Sequence, residues 1–254
     1  MTATIELARR GAVTVLTISN EAKRNAFTHE MTKQLGTLLR SADEDPGVKA
    51  IIITGRGDVA FSSGHDLREM LADPEHASDP ALNEPFLLPA QITTPTIAAI
   101  NGYAFAAGFI LALNCDLRIC AENASFAAPG ARIGLLPIGG QLSRLPLLLP
   151  RAIAHELLIT CREMKAEEAH RLGFANQVVP RGEAVQAALA TAEMIAANSA
   201  SVIREIKRGL EVVAADGPAK ASDFEWEYGR KLQDEPDAHE GITAFLEKRR
   251  PVFR

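Results

Sequence analysis

At 254 residues, with 47% hydrophobic and 23% charged side chains, the chain has an ordinary globular composition and enough length for one α/β domain with an appendage, or for two small domains. A net charge of −5 argues against a general nucleic-acid binder, and three cysteines without a CxxC pair argue against a disulfide framework or a zinc knuckle. The opening run MTATIELARRGAVTVLTI lacks the charged-then-apolar order of a signal peptide, so a cytoplasmic protein with reduced, buried thiols is expected.

Ile5, Leu7, Val13, Val15, Leu16 and Ile18 alternate with polar residues around Arg9-Arg10-Gly11, which predicts a two-stranded hairpin. After the polar loop NEAKRN at 20–25, Thr28 can cap a helix in which Met31, Leu35, Leu38 and Leu39 recur at helical spacing; Asp45-Pro46-Gly47 ends it. The wholly apolar run at 50–53 reads as a strand covered on both faces, so a strand-helix-strand unit in a parallel sheet is expected. The loop TGRGDVAFSSG at 54–64 has neither the third glycine of a dinucleotide loop nor the GK[ST] of a phosphate loop. Helix resumes near Asp66, which is read as a structural cap, and Pro74, Pro80, Pro85 and Pro89 then predict an irregular surface connection over 73–89 that could act as a lid.

The stretch TTPTIAAINGYAFAAGFILALNCDLRICA at 93–121 organises the rest. A β-branched run at 96–100 turns at Asn101-Gly102 into small residues and then an apolar helix, so a buried strand is expected to turn sharply into a helix. Its apolar part, 97–113, approaches the length of a membrane span, but Asn101, Gly102 and Asn114 interrupt or border it and no aromatic or basic anchors flank it, so no membrane partner is expected. The first N–H groups of such a helix have no partner within it and lie at the positive end of its dipole; beside Ala106, Ala107 and Gly108 a ligand oxygen can approach them. That is what an oxyanion site requires. Strands follow at 116–120 and 124–126, with Asp116 as a buried hydrogen-bond acceptor. A Gly/Pro loop spans 129–140, helices are expected at 141–149, 152–160 and 165–172, and a last strand lies at 177–179. From residue 183 only helical periodicity remains, at 185–197, 199–215, 219–231 and 237–248, which divides the chain into an α/β core over 1–195 and a helical region over 196–254.

Four segments in this order resemble the crotonase (enoyl-CoA hydratase/isomerase) superfamily. NEAKRNAFTHEM at 20–31 resembles N-x-P-x-x-x-N-A-x-x-x-x-M, with Ala22 in place of proline. FSSGHDLREM at 61–70 resembles F-[CS]-[AS]-G-x-D-L-x-E-M. Residues 101–116 resemble N-G-x-[AC]-x-G-[GA]-G-x-x-[LI]-A-L-x-C-D, and GITAFLEKRR at 241–250 resembles G-[MIT]-x-A-F-x-E-K-R. The resemblance implies a crotonase-like α/β spiral of ββα units with a helical C-terminal region that packs subunits into trimers, often paired as hexamers. It also implies an acyl-CoA thioester held with its carbonyl oxygen between two backbone amides, which fall on His65 and Ala107, where an enolate would be stabilised. CoA contacts are implied for Lys23, Arg24 and Ala26, for Ser63, Asp66 and Leu67, and for Phe245 and Lys248 of a C-terminal helix, commonly from a neighbouring subunit. No metal and no permanently bound cofactor are implied; CoA enters as part of the substrate.

Hydratases of this family carry two glutamates that position a water and move its protons. Their positions fall here on Ile110 and Gly130, and no glutamate stands between 124 and 141 to restore the second. Either the chain binds acyl-CoA without catalysis, as a carrier or regulatory protein, or another titratable group near the thioester serves: His65, Glu69, Glu84 or Glu122. The imidazole of His65 is the side chain best matched to proton transfer near neutral pH, and it can equally face solvent or CoA without a catalytic role.

Overall fold

The computed structural model describes residues 3–73 and 79–253. The chain runs β1 (Thr4–Arg10), β2 (Val13–Ser19), α1 (His29–Glu44), β3 (Ala50–Gly55), β4 (Ala60–Ser62), α2 (Leu67–Ala72), α3 (Pro80–Gln91), β5 (Thr96–Ile100), β6 (Tyr103–Phe105), α4 (Ala107–Asn114), β7 (Leu117–Ala121), β8 (Ser125–Ala127), α5 (Leu145–Leu148), α6 (Arg151–Thr160), β9 (Met164–Lys165), α7 (Ala166–Arg171) and β10 (Gln177–Val179). Four helices complete it: α8 (Ala184–Ala196), α9 (Ala200–Asp216), α10 (Pro218–Gln233) and α11 (Pro236–Leu246).

A six-stranded sheet in the order β1-β2-β3-β5-β7-β10 is parallel except for the antiparallel β1–β2 hairpin, and β4-β6-β8-β9 form a smaller sheet of four strands. Successive turns of chain give one strand to each sheet: β3 then β4, β5 then β6, β7 then β8. This is the ββα spiral that the motif order implies. The large sheet is apolar on both faces because alternate residues of its central strands point opposite ways. Ile51, Ile53, Ala98 and Ile100 face the main core with Met31, Leu35 and Leu39 of α1 and Phe109 of α4. Ile52, Ile97, Ala99 and Ile119 face the other side, where Ala184, Ala188 and Ala192 let α8 approach closely.

Three sequence expectations need correction. The prolines over 73–89 do not make an irregular connection throughout: residues 80–91 form α3, while 74–78 lie outside the described residues. Pro80 stands where a helix needs no N–H, and burial of Phe86 and Leu88 offsets what Pro85 and Pro89 forfeit, since burying a large apolar side chain contributes about 1.5–3 kcal/mol. The strand at 96–100 does not turn directly into a helix: β6 intervenes, because Asn101-Gly102 hands the chain to the second sheet, where β6 pairs with β4 and β8. The helix expected over 141–149 shortens to α5, because Gly139 and Gly140, at φ 66° and 95°, turn the chain and the amides of Arg144 and Leu145 both bond Gly140 O. No helix among the described residues is long and apolar enough to cross a membrane.

Candidate active site

Two loops meet where the small sheet joins α2 and α4. Residues 62–67 run alongside 26–28: Phe27 N–H donates to Gly64 O at 2.8 Å and Asp66 N–H to Phe27 O at 2.8 Å. Asp66 caps α2 as expected, its Oδ1 accepting from Arg68 N–H at 3.0 Å. Gly64, at φ 102°, is required by contact as well as conformation, since a Cβ there would lie 2.8 Å from Ala106 Cβ and 3.2 Å from Ala107 N.

The second loop ends β6 and opens α4. Ala106 N–H donates to Ala127 O at 3.0 Å, and the first bond of the helix runs from Ile110 N–H to Ala106 O at 3.0 Å. The N–H groups of Ala107, Gly108 and Phe109 therefore stand outside the helical ladder, at the positive end of α4. Ala106 adopts φ 48°, ψ −118°, a conformation suited to glycine, at the position where the motif of residues 101–116 has glycine.

His65 and Ala107 both line one cavity of about 210 Å³. Its walls are mostly apolar: Leu67 and Met70 of α2, Ile110 of α4, Ile133, and Leu135, Leu136, Pro137 and Ile138 of the following loop. Among the described residues lining it, His65 carries the only titratable side chain, accompanied by the amides of Asn83 and Gln141. His65 Nε2 lies 3.3 Å from Asn83 Oδ1, while Asn83 Nδ2 donates to Asp79 O at 2.9 Å. That second bond orients the carboxamide with its oxygen toward the ring. Phe86 meets the ring edge-on at 5.1 Å.

Of the two glutamate positions, Gly130 is closed to a side chain as the backbone stands. Ile110 is buried against Gly139, where a Cβ would come within 2.5 Å of Ile110 Cγ2. Gly130 is closed over by the next turn: Leu135 N–H donates to its carbonyl at 2.9 Å, and a Cβ at 130 would sit 2.6 Å from Leu135 O. The other acids named from sequence lie outside the cavity lining. Glu69 accepts from His29 N–H at 2.7 Å, Glu84 pairs with Arg40, and Glu122 is exposed.

Of the residues expected to touch CoA, Lys23, Arg24, Ala26, Ser63, Asp66 and Leu67 are brought together on one rim. Lys23 Nζ bonds the Asp66 carboxylate, Ser63 N–H donates to Arg24 O at 3.1 Å, and Ser63 Oγ donates to Lys23 O at 3.3 Å. The Lys23 ammonium holds the Asp66 carboxyl below the usual carboxylate range, aided by the Arg68 amide and opposed by burial. Phe245 and Lys248 belong to the α11 end of the chain; Phe245 is 83% exposed, and no hydrogen bond or ion pair among the described residues ties either to that rim. Sequence reading missed Asn83 and Gln141. The pair Asp79-Pro80, a helix-start signal, marks the helix that carries Asn83.

Two sheets wound as a ββα spiral, with a helix N-terminus opening onto an apolar cavity, place the chain among crotonase-like α/β proteins. The family model for enoyl-CoA hydratase/isomerase matches residues 8–254. Carnitinyl-CoA dehydratase of Salmonella typhi is 36% identical over 100% of this chain and 99% of its own, and that of Proteus mirabilis is 38% identical with the same coverage. Among solved structures, Pseudomonas aeruginosa DspI superposes with a TM-score of 0.94 at 33% identity over 100% of this chain and 97% of its own. Enoyl-CoA hydratase from Bacillus anthracis does so at 0.94 and 29% identity over 98% of each chain. The chain belongs to the enoyl-CoA hydratase/isomerase family.

Proposed function

We propose that the protein binds an acyl-CoA thioester with its carbonyl oxygen between the N–H groups of His65 and Ala107, and that the His65 imidazole moves the proton in place of the family's glutamates. The observation that carries this reading is the shared cavity, in which both amide-bearing residues meet and His65 is the one titratable side chain among the described lining residues. Charge developing on the thioester oxygen would be stabilised by two fixed amides, each worth about 3 kcal/mol in such sites. The imidazole would take the proton from Cα, with its Nε2 held 3.3 Å from Asn83 Oδ1. The names of the relatives favour elimination of water, or its reverse, as the reaction class.

The rim from Lys23 to Leu67 would receive the CoA, with Phe245 and Lys248 supplied by a neighbouring copy in a trimer or hexamer. CoA then enters only as part of the substrate. Calorimetric binding of CoA and acyl-CoAs, alongside hydration of crotonyl-CoA, tests the reading. Binding with no turnover on several acyl-CoAs identifies a non-catalytic carrier instead, and no binding at all defeats both. His65→Ala keeps the amide and removes the ring, so kcat should fall by about 10²–10⁴; an unchanged kcat removes the imidazole from the mechanism.

A further inference from the structure

Ala106 is half-buried and lines the cavity together with His65 and Ala107. Its φ of 48° and ψ of −118° form a conformation that glycine adopts freely and alanine does not. The ψ value also fixes where the methyl group stands. In an L-residue Cβ is turned about 120° from the backbone nitrogen around the Cα–C bond, so at this ψ the Cα–Cβ bond all but eclipses the bond to Ala107 N. In a planar trans peptide the N–H points to the side on which the preceding Cα lies. The Ala106 methyl therefore lies in the plane of the Ala107 peptide, beside its N–H. Gly64 approaches the same spot from the other loop: a Cβ there would meet Ala106 Cβ at 2.8 Å and Ala107 N at 3.2 Å. The methyl thus stands on the side of the Ala107 amide that faces the loop carrying His65.

We propose that Ala106 tunes the oxyanion site: its methyl keeps an acceptor off the axis of the Ala107 N–H, so the thioester oxygen leans on the His65 N–H and an enolate is held less firmly than glycine at 106 would allow. This rests on the acyl-CoA reading above. An N–H···O bond is strongest when nearly linear, at about 2.9 Å between nitrogen and oxygen, and weakens steeply as it bends. An oxygen on that line would sit well inside the closest ordinary carbon–oxygen approach to the methyl, about 3.3 Å. It must therefore tilt away, toward the other donor. Glycine would leave the line open and relieve the backbone, so the alanine weakens one donor at a cost in strain.

Calorimetry on the full chain, wild type and Ala106→Gly, with CoA, butyryl-CoA and acetoacetyl-CoA decides it. Acetoacetyl-CoA releases a proton to the buffer from the carbon between its two carbonyls, and the enolate left behind carries negative charge on the thioester oxygen. CoA has no thioester carbonyl and serves as the reference. Relative to CoA, Ala106→Gly should bind acetoacetyl-CoA at least ~10-fold tighter than the wild type does, a part of the roughly 10²–10³ that a whole oxyanion donor is worth. The carbonyl stretch of bound butyryl-CoA, followed by infrared difference spectroscopy, should fall to lower frequency in the variant. An acetoacetyl-CoA preference that is unchanged or weaker in the variant overturns the role of Ala106, and so does a stretch that does not move; the acyl-CoA reading stands in either case as long as the wild type prefers an acyl-CoA to CoA. If neither protein prefers an acyl-CoA to CoA, or no ligand binds, both readings fall.

Discussion

Lys207 is the test of what fastens the helical C-terminal region to the core. It lies on α9 at 8% exposure, and its ammonium donates to Pro89 O at 2.6 Å, Thr94 O at 3.2 Å and Asp116 Oδ2 at 2.8 Å. Asp116 Oδ2 also accepts from Thr96 N–H at 2.7 Å and Thr96 Oγ1 at 2.8 Å, so one carboxylate joins α9, the start of β5 and the end of α4. Lys207→Met keeps most of the buried stem and deletes the cation. The carboxylate retains its Thr96 donors but loses its counter-charge, and the two carbonyls lose their donor. Removing one member of a buried ion pair costs about 3–5 kcal/mol. Because the Asp116 side chain is 28% exposed, water recovers part of that loss, which places the expectation near the lower end, about 3 kcal/mol. For a chain of this length that lowers Tm by roughly 6–12 °C. Urea unfolding gives the free energy, and hydrogen exchange locates it: α9 amides should lose more protection than those of β3. A loss below about 1 kcal/mol, or one spread evenly over the fold, refutes the clamp.

Ala106→Gly should raise stability by about 1 kcal/mol, since relief of a strained φ/ψ is worth about 1–3 kcal/mol against a glycine entropy cost of 0.5–1; a lower Tm would contradict it. Lys23→Met should move the Asp66 carboxyl up toward 3.8, followed by carboxyl NMR. The folded-state pKa of Asp66 is depressed, so its contribution to stability is present above about pH 4 and is lost as pH falls through the folded value; a titration identical in the variant rules out Lys23 as the cause. Burial pushes the Cys115 and Cys120 thiols up to about 12, so neither should react with a thiol reagent at pH 8 until the chain is unfolded, and rapid labelling of either in the native protein would show the core to be open.

By itself the sequence determined most of the elements and where α4 begins. Alternation around Gly11, helical spacing after Thr28 and the doubly apolar run at 50–53 depend on local period and burial, and they became β1, β2, α1 and β3. The glycine and alanine pattern from Asn101 to Gly108 marked the N-terminus of α4, because small residues carry that information without any partner. Tertiary structure decided what depends on residues far apart in the chain. Only packing against α1 shows that a proline-rich stretch is a helix holding Asn83 near His65, since proline is a breaker by local rules and burial of Phe86 overrides it. Likewise, only the folded chain shows that Leu135 O closes over Gly130 and that Gln141 Nε2 is buried without a hydrogen-bond partner. Burial and hydrogen-bond satisfaction are properties of the whole fold, and sequence spacing does not contain them.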